Sequence, residues 1–108
     1  MGASIIDQIR QAVEAGRVRM TDHALDELVN ERFHVIDAES ALVTGRIVRT
    51  QTAKADSPGP RYTVVGKATD LSTELAIVCR FESDDRVLVI TAYPMRSRDD
   101  GRLQGPSM

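Results

Sequence analysis

The spacing of apolar positions changes once along the chain. Up to Gly45 they recur every three or four residues; from Arg46 on they fall into short runs of strand length. Ile5, Ile6, Ile9, Ala12 and Val13 share one helical face. Ser4 stands ahead of them as an N-cap, an acid, Asp7, follows three residues on, and Gly16 stops the helix. Arg17 to Met20 alternates polar and apolar, a short extended link. A second helix is predicted over residues 21–33, capped by Thr21 or Asp22, with Leu25, Leu28, Val29 and Phe33 as its buried stripe. A third, shorter helix is predicted from an Asp37 cap through Val43, and Gly45 is expected to end it as a left-handed residue.

Beyond Gly45, Arg46 to Gln51 and Arg61 to Lys67 are predicted strands. A polar loop with two prolines and a glycine, residues 53–60, separates them. The most apolar stretch is Glu74 to Tyr93: two β-branched runs around an acidic link, Glu82 to Asp85. It reads as a hairpin. Leu75, Ile77, Cys79 and Phe81 alternate with Ala76 and Val78, so both faces are apolar and the hairpin is placed mid-sheet, with helices on at least one face. Helices followed by strands predict an α+β fold, with two or three N-terminal helices packed on a mostly antiparallel four-stranded sheet. Residues 1–95 are expected to form one domain and residues 96–108 a mobile tail.

Composition changes this picture little. The chain has 108 residues, 42% hydrophobic and 28% charged, ordinary for one globular domain. One cysteine excludes an internal disulfide, and Cys79 is expected to be a small buried hydrophobe. No apolar run approaches the roughly 20 residues that span a bilayer, and the N-terminus lacks a basic-then-apolar leader, so a cytoplasmic protein without membrane partners is expected. Net charge is −2, which argues against a general nucleic-acid glue. The charge is uneven, however. Residues 1–45 carry four arginines against eight acids, and residues 46–108 carry ten cations against eight acids. Twelve of the fourteen cations are Arg, suited to bidentate contact with phosphate or carboxylate.

Two constellations can carry chemistry. His23 lies just inside a helix N-terminus, where the dipole disfavours imidazolium, and Glu27 one turn on can orient it as a general base. The bland alternative is a surface histidine that packs and caps. Arg61 and Tyr62 follow Gly59-Pro60, and Arg80, Thr91 and Tyr93 sit on other strands. If their strands are neighbours, Arg61 and Arg80 meet one sheet surface and can hold a phosphate, while Tyr93 transfers a proton or stacks on a base. The alternative is ordinary strand-end Arg and Tyr. His23 and Glu27 also have metal-ligand spacing, which would suit a metal-dependent hydrolase, but neither His34 nor Asp37 supplies a third ligand at fixed spacing, so no metal or other cofactor is expected. There is no Gly-rich phosphate loop, serine nucleophile elbow or zinc-finger spacing.

At Thr21 to Leu28 (TDHALDEL), Gly59 to Gly66 (GPRYTVVG) and Val87 to Pro94 (VLVITAYP) the chain resembles an uncharacterised bacterial family built around a domain of unknown function. The family's marks fall on His23 with Ala24, Asp37, Gly45, Arg61 with Tyr62, Gly66, and Thr91 with Tyr93. That family in turn resembles the RelE, ParE and MqsR toxins. The resemblance implies a RelE-like fold, RNA as substrate and metal-independent acid/base cleavage at the ribose 2′-hydroxyl. Taken with the two constellations above, from which Glu27 and Arg80 come, His23, Glu27, Arg61 and Tyr93 are the catalytic candidates, and Tyr62, Arg80 and Thr91 the substrate-binding ones; many relatives have Arg in place of Glu27. A cognate antitoxin is the implied partner, and a homodimer is left open. The competing expectation is a non-catalytic domain that uses the same fold to bind a partner protein.

Overall fold

A computed structural model describes residues 4–52 and 59–95. The tail expected over residues 96–108 and most of the 53–60 loop lie outside the described residues. Eight elements follow one another: α1 (Ile5–Glu14), β1 (Val18–Met20), α2 (Asp22–Asn30), α3 (Val35–Thr44), β2 (Arg46–Gln51), β3 (Arg61–Lys67), β4 (Glu74–Phe81) and β5 (Val87–Pro94). The fold is α+β, with a sheet of order β1-β5-β4-β3-β2. The predicted hairpin, β4–β5, does lie inside the sheet.

The sheet has five strands and is mixed, not four antiparallel ones. Val18 to Met20, read as a link, pairs parallel with β5, Val18 beside Val87 and Met20 beside Val89. Backbone bonds from Val87 N–H to the Arg17 carbonyl and from Thr21 N–H to the Val89 carbonyl extend the ladder. Three residues are too few to register as a strand pattern, yet their alternation is that of one: Val18 and Met20 pack on the core while Arg19 is exposed.

Alternation places the core. Val64 on β3, Leu75, Ile77 and Cys79 on β4, and Val87, Val89 and Ala92 on β5 join Ile9, Ala12, Ala24, Leu28, Ala38, Ala41 and Leu42 from the three helices in one buried cluster. All three helices therefore cover the same sheet face. A bulge in β5 keeps this parity: Val78 pairs with Thr91 but Cys79 with Val89, so Ile90 is the extra residue. Val65, Ala76 and Leu88 are buried too, but on the opposite, helix-free face, outside that cluster. Among the described residues, the apolar character of both faces of β4 and β5 does not mark a second helix layer.

The caps follow local chemistry, with three corrections. Ser4 accepts the Asp7 N–H at 3.3 Å, and Gly16 takes φ 74° after α1, as read from the sequence. In α2, Thr21 is the cap; Ala24 and Leu28 face the core, whereas Leu25 and Val29 are exposed, Val29 at 71%. Leu28 is buried as predicted, while Ala24 takes the place of Leu25 and Val29. The helix ends at Asn30 because Arg32 turns left-handed at φ 66°, leaving Phe33 outside it. In α3, His34 occupies the N-cap position and Asp37 is the third helical residue, whose carboxylate accepts the His34 N–H at 2.9 Å. Gly45 is extended, at φ −91° and ψ −175°, so it is not glycine for left-handed geometry. It is glycine for space. A methyl group there would lie 2.5 Å from the carbonyl oxygens of both Ala41 and Val65. One on Gly66 would collide with the Ala41 carbonyl. The two glycines let α3 lie directly on β3.

Candidate functional site

The first candidate lies where α2 meets the outer edge of β5. Thr21 sets it up: its hydroxyl oxygen accepts the Ala24 N–H at 3.1 Å and its hydroxyl donates to the Ile90 carbonyl at 2.9 Å. One side chain both starts the helix and ties it to β5. β1 stops at Met20, so among the described residues β5 beyond Ile90 is an edge without a neighbouring strand on that side. Glu27 covers it. Its Oε1 accepts the Ala92 N–H at 3.0 Å and the Thr91 hydroxyl, and His23 Nε2 lies 3.4 Å away. Glu27 is 29% exposed and His23 69%. The imidazole is thus open to solvent, with its Nε2 turned to a carboxylate. When Nε2–H is shared with Glu27, Nδ1 is left as a proton acceptor. The arrangement supplies an accessible base beside an anchored acid. It also has a purely structural use, since it satisfies an edge N–H.

The second candidate is the helix-free face. Register and alternation put Arg19 of β1, Arg46 and Arg49 of β2, Arg61 and Lys67 of β3 and Arg80 of β4 on it, together with Tyr93 of β5. Two acids accompany them. Glu82 lies 3.4 Å from Arg19, and Glu74 lies 3.6 Å from Lys67. Arg46, Arg49, Arg61 and Arg80 make no ion pair among the described residues. The register that pairs Tyr62 with Cys79 sets Arg61 directly opposite Arg80. Like charges in that position repel and destabilise an antiparallel pair.

The sequence-predicted residues therefore divide. His23, Glu27 and Thr91 come together, and Tyr93 lies two residues beyond Thr91 on the same strand. Arg61 and Arg80 come together elsewhere. Arg80 is level with Leu88, four ladder steps along β5 from Tyr93, and Arg61 is one strand further out. That separates Arg61 from Tyr93 by ~17 Å between backbones. Tyr62 faces the core, where its ring meets Phe81 edge-on at 6.2 Å. Asp37 is 7% exposed and structural. Its Oδ1 accepts the Thr69 N–H at 3.0 Å and the Thr69 hydroxyl at 2.5 Å. Burial pushes its carboxyl up, but the hydrogen bonds from Thr69 and His34 outweigh this and hold it below the ordinary range. Burial also pushes the Cys79 thiol up to about 12, so it is no nucleophile. Among the described residues no three His, Cys, Asp or Glu side chains gather as a metal site would require.

Arg19, Arg46 and Arg49 were not among the predicted site residues. Their signal was present in Val18-Arg19-Met20 and Arg46-Ile47-Val48-Arg49, where arginine recurs opposite a core-facing residue. Reading it required knowing that β1 exists and that β2 carries a bulge between Ile47 and Arg49.

An α+β domain with all helices on one sheet face and arginines on the other defines the class of this protein. It belongs to the DUF4258 family, a domain of unknown function, which its residues 20–94 match. That segment takes in α2, α3 and β2 to β5 and leaves α1 outside. No curated protein and no solved structure matches the chain.

Proposed function

We propose that this is an RNA-binding domain of the RelE-like toxin type that cleaves RNA without a metal, and that its natural regulator is an antitoxin protein. The observation that carries the reading is the helix-free face. Four arginines that make no ion pair among the described residues project from one sheet surface of a chain whose net charge is −2. Charge concentrated in this way suits a polyphosphate and does nothing for folding. The division of the predicted residues assigns the roles. His23, oriented by Glu27, takes the 2′-hydroxyl proton at the β5 edge. Tyr93 lies beside that edge as proton donor or stacking ring. Arg61 and Arg80 are too far along the sheet to share the scissile phosphate with Tyr93, so they hold phosphates further along the strand. Thr91 spends its hydroxyl on Glu27 and acts as a positioning residue. The test is RNA degradation by purified protein and on induction in bacteria. Wild type degrades RNA and arrests growth, and His23→Ala does neither while melting at the same temperature. Equal growth and intact RNA in both strains would refute cleavage.

The second reading is a non-catalytic protein-binding domain. It is favoured by the helix layer, which exposes Leu25, Val29, Val35, Ile36 and Val43. Ile36 and Val43 line a groove of about 230 Å³ with Val13 of α1. Stoichiometric capture of one protein, lost on Ile36→Glu, together with no RNA cleavage, would decide for this reading.

A further inference from the structure

Strand register arranges the arginines of the helix-free face in rows across the sheet. Arg19 is level with Leu88, Leu88 with Arg80, Arg80 with Arg61, and Arg61 with Gln51. One row thus crosses all five strands, and three of its five members are arginines. The five strands span ~19 Å from first to last, with Arg80 ~5 Å from Arg61 and ~10 Å from Arg19. Arg49 stands in the next row, level with Thr63, and Arg46 in the one beyond, level with Val65. Of the row's cations only Arg19 has a carboxylate neighbour among the described residues, Glu82. Arg61 and Arg80, directly opposed near the row's centre, make no ion pair among the described residues.

We infer that this row is the track of one nucleic-acid strand, which crosses the sheet at right angles to its strands. The inference rests on the RNA-binding reading above and adds the form of the substrate. A sheet ~19 Å wide cannot enter a major groove of ~12 Å, whereas a single strand lies flat on it. At about 3.4 Å per stacked nucleotide the row accommodates about four to six nucleotides, fewer if the strand is stretched. The row's other members are Leu88 and Gln51, so its charge, and with it the phosphate term, comes from the three arginines. Tyr93, two rows away, offers a ring to one base. Contacts from the arginines to phosphates carry no sequence or sugar information, so the track itself is not selective for RNA over DNA and any preference for RNA arises at the cleavage step.

The experiment measures binding of the full chain to labelled oligo-U and oligo-dT of increasing length, and to a duplex, across a salt series. Affinity rises with length up to about six nucleotides and then levels. Oligo-dT binds as well as oligo-U, and the duplex binds at least about tenfold more weakly. The log–log salt slope is about −2 for three phosphates, and Arg61→Gln or Arg80→Gln each reduces its magnitude by about 0.7. A duplex that binds as tightly as a single strand would overturn the track, as would a slope unchanged in both folded variants. Protein that binds no nucleic acid at any salt overturns the RNA-binding reading itself, and the track with it.

Discussion

The two faces of the sheet treat polar groups in opposite ways. Where α3 lies on β3, hydrogen bonds tie the polar groups of the two elements together. Ser40 donates to the Lys67 carbonyl at 2.8 Å, and the Thr44 hydroxyl oxygen accepts the Lys67 N–H at 2.8 Å. Asp37 takes the N–H and hydroxyl of Thr69. Arg10 reaches over from α1 to the carbonyls of Val43 at 2.9 Å and Gly45 at 3.0 Å, supplying a cation at the C-terminus of α3. On the helix-free face, the side chains of Arg46, Arg49, Arg61 and Arg80 make no ion pair with a carboxylate among the described residues, and Arg46, Arg49 and Arg61 are exposed. One face is organised for folding. The other carries charge that folding does not use, and it is there that a ligand is to be sought.

The sharpest way to break this contrast is to spoil the close approach on the helix side. Gly66→Ala places a methyl group on the Ala41 carbonyl, and relief requires backbone movement of α3. The expected loss is about 3 kcal/mol, read from urea denaturation. A change below about 0.5 kcal/mol would mean that α3 and β3 are not in contact at Gly66.

Asp37→Asn comes next, with an expected loss of about 1–2 kcal/mol at neutral pH as charge-assisted hydrogen bonds weaken. The direction with pH follows from linkage. The folded pKa lies below the unfolded value of about 3.9, so the carboxylate stabilises the fold above that pH. The contribution is lost as pH falls through the folded pKa. Melting temperature measured down from pH ~5 therefore falls more steeply in wild type than in Asp37→Asn. Parallel curves would place the buried carboxylate's hydrogen bonds in doubt.

Much of the fold was legible because its signals are local. Period, turn residues and β-branching located β2 to β5 and the three helices. What escaped depends on partners distant in sequence. β1 is a strand only because β5 lies beside it, and Gly45 is glycine only because Val65 and Ala41 close on it. Leu25 and Val29 look like part of a core stripe with Leu28, yet only Leu28 is buried, and Ala24 faces the core in their place. The site was legible in pairs: His23 with Glu27 is a one-turn helix contact, and Arg61 with Arg80 follows from neighbouring strands. Whether the pairs meet depends on position along the strands, which residue types do not report.

The smallest effect on stability tests the central claim most directly: that the arginines of the helix-free face serve a ligand and not the fold. Arg61→Ala/Arg80→Ala removes two like charges from directly opposed positions. Thermal unfolding and single-stranded RNA binding are measured on the same preparation. The predicted result is a stability unchanged or raised by up to about 1 kcal/mol, with RNA affinity lowered tenfold or more. A variant that is destabilised by more than about 1 kcal/mol yet binds RNA like wild type would contradict the account.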